Sequence, residues 1–173
     1  GPAAQWPAEN YGIPAERIEP SHFEEVAGFA ERDRLAPPPA NAVLFIGSST
    51  IRIWDETLHA AMAPLPCIAR GFGGAKTWDC LYFFDAIVRP YKPALMVFFA
   101  GTNDLNSREA EPPETITNTE RFLDMTRTAC GDIPVLYMAI TRTPETREIW
   151  PQMDTVSRHM ERLASGRANL HFF

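Results

Sequence analysis

Five short apolar runs, at 42–46, 67–70, 94–100, 134–140 and 169–173, alternate with segments of helical character near 53–62, 76–89, 114–129 and 148–164. Leu95-Met96-Val97-Phe98-Phe99 and Val135-Leu136-Tyr137-Met138 are continuously apolar, as strands covered on both faces are; a strand with one wet face alternates instead. Strand and helix in turn make βαβ units, and those make a parallel sheet with helices on its faces. The class is therefore α/β. A chain of 173 residues suits one domain. At about 150 residues a domain buries roughly 68–70% of the surface its unfolded chain exposes, enough for such a core.

Residues 1–20 carry Pro2, Pro7, Pro14 and Pro20 and no apolar period. They read as an extended arm over the surface, with residues 21–173 as the domain. Ser21-His22-Phe23-Glu24 has the form of a capping box, and predicts a helix with Phe23, Val26, Ala27 and Ala30 on its inner face. Pro37-Pro38-Pro39 ends the connection from it.

The net charge of −6, with sixteen scattered basic residues, argues against nucleic acid or an anionic membrane as the main partner. No apolar stretch reaches the roughly 18 residues of a membrane span. Cys67, Cys80 and Cys130 are odd in number and widely spaced, which fits neither a disulfide framework nor a zinc site. No metal and no cofactor is expected.

The first four strands end in Gly47-Ser48-Ser49, Gly71-Phe72-Gly73-Gly74, Gly101-Thr102-Asn103-Asp104 and Thr141-Arg142-Thr143-Pro144. A parallel sheet sets all four loops along the one edge where ligands bind. Acyl transfer through a serine needs a nucleophile, a base and donors for an oxyanion. Ser49 can be the nucleophile. The Gly73-Gly74 turn lets a backbone N–H approach a reacting centre, and Asn103 offers a side-chain N–H. Other motifs fail on one or two positions. Arg70 and Ala75 stand where a P-loop needs glycine, Lys76 where a dinucleotide fingerprint needs its third glycine, and Ile51 where the α/β-hydrolase elbow needs its last.

Phe45-Ile46-Gly47-Ser48-Ser49, Arg70-Gly71-Phe72-Gly73-Gly74 and Gly101-Thr102-Asn103-Asp104 together resemble the first three blocks of the SGNH (GDSL-type) hydrolases. Ser49-Thr50-Ile51-Arg52-Ile53-Trp54 and Arg147-Glu148-Ile149-Trp150-Pro151 resemble the bacterial branch related to platelet-activating-factor acetylhydrolase. The resemblance spans roughly residues 22–173. It implies a three-layer α/β/α sandwich around a flavodoxin-like, five-stranded parallel sheet of order 2-1-3-4-5. It also implies hydrolysis of a small-molecule carboxylic ester with a short acyl or acetyl group. By this carry-over Ser49 is the nucleophile, and the Ser49 N–H, the Gly74 N–H and Asn103 hold the oxyanion. Ser48 stands where many members carry aspartate, although serine is tolerated there in this branch.

One block is missing. The resemblance implies an Asp-x-x-His after the fifth strand, and the sequence reaches Leu170-His171-Phe172-Phe173 without it. Neither His22, three residues after Glu19, nor His59, three after Glu56, replaces it. The first pair straddles Pro20, and the second points outward or along its own helix. His159 reads as a mid-helix residue, and the alternation of the last strand turns His171 toward a covering helix. The expectation is a sheet short of its last helix, covered by further chain or by a partner chain, and little turnover from these residues alone. The rival reading is an SGNH-like scaffold that binds without catalysis. Lys76, Arg142 and Arg147 are candidates for receiving an acidic or polar substrate group. Trp54, Trp78 and Trp150 are candidates for the wall of an acyl or sugar pocket.

Overall fold

The computed structural model describes residues 5–173. The chain opens with a small antiparallel hairpin of β1 (Glu9–Asn10) and β2 (Ile13–Pro14), and a 3-10 turn at Ala15–Arg17 leads to α1 (Pro20–Leu35). Then follow β3 (Val43–Gly47), α2 (Ser49–Met62), β4 (Cys67–Gly71), α3 (Thr77–Tyr82), α4 (Phe84–Ile87) and β5 (Leu95–Phe99). The rest comprises α5 (Thr102–Asn106), α6 (Pro112–Cys130), β6 (Val135–Tyr137), a 3-10 stretch at Pro144–Ile149, α7 (Trp150–Ser165) and β7 (Leu170–Phe172). The large sheet has the order β4-β3-β5-β6-β7 with every pairing parallel, which is the expected 2-1-3-4-5.

Alternate residues of each strand feed two cores. Leu44, Ile46, Ile68, Met96, Phe98, Val135, Tyr137 and Leu170 meet residues of α1, α3, α4, α6 and α7. Val43, Phe45, Cys67, Ala69 and Val97 meet Ile51 and Leu58 of α2. The second layer is thus a single helix seated over β4 and β3. Farther along that face Leu95, Phe99, Leu136 and Met138 are only half-buried. His171 shares the face through its register with Leu136 and is exposed, contrary to the expectation of a covering helix, because α2 does not reach β7.

Several local expectations shift. Helix α1 begins at Pro20, since proline suits the first helical position. Glu19 is its N-cap, no side chain caps it, and Ser21 lies inside the helix. Phe23 and Val26 face the core as expected, joined by Phe29, while Ala30 is exposed. The segment expected as one helix over 76–89 breaks at Phe83 into α3 and α4. The short α5 lacks an apolar period and is absent from the sequence reading.

Residues 5–19 lie over the surface and cover part of the core; the first four residues of the expected arm lie outside the described residues. Trp6 packs edge-on against Phe83 with ring centroids 5.0 Å apart, and Ile13 and Ile18 are buried. Asn10 Nδ2 donates to the Tyr82 carbonyl at 2.6 Å, and the Tyr82 hydroxyl donates to the Pro7 carbonyl. Among the described residues no helix is long and apolar enough to cross a membrane.

Candidate functional site

Sheet register assembles the loops. Gly47 pairs with Gly71 on one side and Phe99 on the other, so three chains leave the sheet from one row. Only Ser48 separates β3 from α2, and Ser49 is the first residue of that helix, half-buried. The helix starts earlier than its sequence suggests because Ser49 and Thr50 read as a turn. What seats it is the stripe of Ile51, Trp54 and Leu58. An N–H at the first helical position has no intrahelical acceptor, and the positive end of the helix dipole favours negative charge there. Gly71 permits the close approach. A Cβ at that position would stand 2.6 Å from both the Ser48 carbonyl oxygen and Ile51 Cβ.

The loop after β4 has nearly all its amides occupied. Gly73 N–H donates to Glu25 Oε1 at 3.3 Å and Ala75 N–H to the Phe72 carbonyl at 3.2 Å. Lys76 N–H donates to Asp79 Oδ2 and Thr77 N–H to Asp104 Oδ1, both at 2.8 Å. Gly74 is the exception. It is exposed at φ +74°, a conformation glycine adopts freely, and among the described residues its N–H has no partner. Asn103, in the first turn of α5, donates from Nδ2 to the Ala75 carbonyl at 3.1 Å. The second Nδ2 hydrogen has no partner among the described residues. Gly74 and Asn103 are therefore tied together through Ala75, at the strand end beside Ser49.

Asp104 is fully buried and also accepts the Thr77 hydroxyl and, at 3.2 Å, the Thr115 hydroxyl. Burial pushes its carboxyl up to about 6, against the pull of the Thr77 and Thr115 hydrogen bonds; the Asp79 charge adds to the rise. In the sequence Asp104 stands out only as part of the Gly-Thr-Asn-Asp motif. Its place directly after Asn103 was the available signal.

The histidines have other partners. His22, almost fully buried, lies 3.4 Å from Asp79 rather than beside Glu19, and its Cε1 is 3.9 Å from where a Cβ on Gly74 would be. His59 is exposed and faces Asp55 at 3.4 Å, not Glu56. His159 is bonded to Glu120. The candidate cations also differ from one another. Lys76 is buried, with Nζ 3.7 Å from Glu109 and 5.5 Å from the Trp78 ring centre. Arg142 is paired with Asp154, and its guanidinium lies 5.2 Å from the Trp150 ring centre. Arg147 is exposed, lies 5.6 Å from the same ring and has no ion pair among the described residues. Trp78 is in the core and Trp54 packs between α2 and the sheet, which leaves Trp150, half-buried, as the tryptophan on the loop side. Among the described residues no three His, Cys, Asp or Glu side chains come together as a metal site.

The sequence profile of the GDSL-like lipase/acylhydrolase family matches residues 47–172. No curated protein sequence matches the chain. Among solved structures, the chain is similar to a candidate platelet activating factor protein from Streptococcus pneumoniae, with 17% identity, 87% of this chain and 73% of that one covered, and a TM-score of 0.72. It is also similar to a candidate acylhydrolase from Bacteroides fragilis, with 21% identity, 83% and 73% covered, and a TM-score of 0.71. A GDSL-like lipase from Bacteroides thetaiotaomicron gives 22% identity, 85% and 76% covered, and a TM-score of 0.71.

Proposed function

Because this chain belongs to the GDSL-like lipase/acylhydrolase family, we propose that it hydrolyses carboxylic esters of short acyl groups through an acyl-enzyme on Ser49. The Ser49 hydroxyl oxygen attacks the ester carbonyl as its proton passes to a base. The oxyanion of the tetrahedral intermediate receives hydrogen bonds from the Ser49 N–H, the Gly74 N–H and Asn103 Nδ2. The alcohol departs with a proton, and water then hydrolyses the acyl-serine. One observation carries this reading: Gly74 is exposed and among the described residues its N–H has no partner, while the amides of Gly73, Ala75, Lys76 and Thr77 are all occupied and Asn103 is bonded to the adjoining Ala75 carbonyl. A preorganised donor of this kind is worth roughly a hundredfold to a thousandfold in kcat.

Each histidine of the chain is paired elsewhere or lies on the far strand. The role of base then falls to the Asp-x-x-His block that the resemblance implies. Without it, turnover falls by about 10⁴-fold. Labelling with a fluorophosphonate tests the reading. Ser49 of the full natural protein should take the label, S49A should not, and a short acyl ester should be hydrolysed only by the former. An unlabelled Ser49 in the full protein would leave the binding-scaffold reading in its place.

Of the three cations, Lys76 and Arg142 are matched by Glu109 and Asp154, so among the described residues Arg147 is the one left for an acidic substrate group beside Trp150. R147A should reduce kcat/KM for an anionic ester relative to its neutral counterpart. Equal losses on the two esters would exclude that role.

A further inference from the structure

Behind the Gly74 turn two carboxylates are buried, Asp79 at 1% and Asp104 at 0% exposure, and neither pairs with a lysine or arginine among the described residues. A carboxylate removed from water without a cation is costly, and apolar residues would fill the space at lower cost. What these two receive, besides the His22 ring 3.4 Å from Asp79, is consecutive backbone amides of the loop, Lys76 N–H on Asp79 and Thr77 N–H on Asp104. Asp104 also takes the hydroxyls of Thr77 and, from α6, Thr115. Asn118 Nδ2 donates to the Thr77 hydroxyl oxygen at 3.2 Å, which leaves that hydroxyl's hydrogen for Asp104. The neighbours Asn103 and Asp104 thus hold the two ends of Ala75–Thr77, one by donating to a carbonyl and the other by accepting an amide.

We propose that Asp104 is a positioning residue, a clamp joining the loop that carries Gly74 to the loop that carries Asn103 and so setting the spacing of the two oxyanion donors. The clamp rests on the esterase reading for its purpose but not for its existence. It acts through Asn103 and Gly74 and does not touch the substrate. If it loosens, the donors are misplaced relative to the transition state while ground-state binding changes little, so the loss appears in kcat rather than KM.

The test compares D104A and T77V with wild type in the full natural protein. T77S, which keeps the hydroxyl, serves as the conservative rescue. The Asn103 side-chain amide in a ¹H–¹⁵N spectrum should show one hydrogen slow to exchange in wild type and T77S, and faster exchange with shifted signals in D104A and T77V. On a short acyl ester kcat should fall about tenfold in T77V and about a hundredfold in D104A, the range expected for a misplaced group, with KM near wild type. T77S should recover the T77V loss. If D104A does not fold, the near-isosteric T77V decides alone. Unmoved Asn103 signals, or an unchanged kcat beside a lowered Tm, would overturn the clamp and leave Asp104 a stabilising residue only. If the Asn103 signals move while wild-type Ser49 takes no label and no ester is turned over, the clamp stands and the esterase reading falls.

Discussion

Asp104 carries a cost that can be measured. Its carboxyl titrates near 6 in the fold because burial penalises the charge, whereas an exposed aspartate titrates near 3.9. The folded state therefore holds a proton that the unfolded state has already lost between pH 4 and 6. The stability linked to this group is fully present below about pH 4, is lost as pH rises through 6, and then stays level, a change of about 3 kcal/mol. D104N keeps the shape and removes the titration. Urea midpoints of both proteins from pH 4 to 7 should show wild type losing ground steadily to D104N across that window; parallel profiles would mean that the carboxyl titrates normally. Cys80 feels the same surroundings. Burial, with the Asp79 and Asp104 charges beside it, pushes its thiol well above the ordinary range, so it should be inert.

Helix α2 begins at Ser49, and its first turn packs closely over Gly71 at the sheet end. At Gly71 an added methyl would meet Ser48 and Ile51 at 2.6 Å, contacts on backbone and on a fully buried side chain that cannot swing away. G71A should therefore cost about 1–3 kcal/mol, as overpacking does, and should slow any Ser49 reaction by tilting the helix. Gly28, inside α1, is the opposite case. An added Cβ there meets nothing within 4 Å and φ is not in the left-handed region. G28A should raise stability by about 0.5–1 kcal/mol through helix propensity and unfolded-state entropy. Thermal melts of the pair separate close approach from mere chain flexibility as the reason for each glycine; similar shifts in both would refute the distinction.

Among the described residues the two faces of the sheet are unequally covered, by six helices on one side and by α2 on the other. Half-buried Leu136 and Met138, with Phe173 68% exposed, leave an apolar strip on β6 and its surroundings. The 173-residue chain should bind a hydrophobic dye in its native state, and a Leu136→Thr, Met138→Thr double variant should bind less with little change in melting; a native chain that binds no dye would contradict this. The strip also marks the boundary of what the linear sequence determined. Apolar runs, small-residue turns and Gly-Thr-Asn-Asp are local patterns, so the parallel five-stranded sheet, its strand boundaries to within a few residues, and the gathering of the loops after β3, β4 and β5 along one sheet edge were legible without coordinates. Partners were not. His22 meets Asp79 and not Glu19, Lys76 is buried against Glu109, and Thr77 donates to Asp104 across twenty-seven residues. Each of these pairings is chosen by sheet register and helix packing between segments distant in the chain. Periodicity reports which way a residue faces, and only the packed structure decides what it faces.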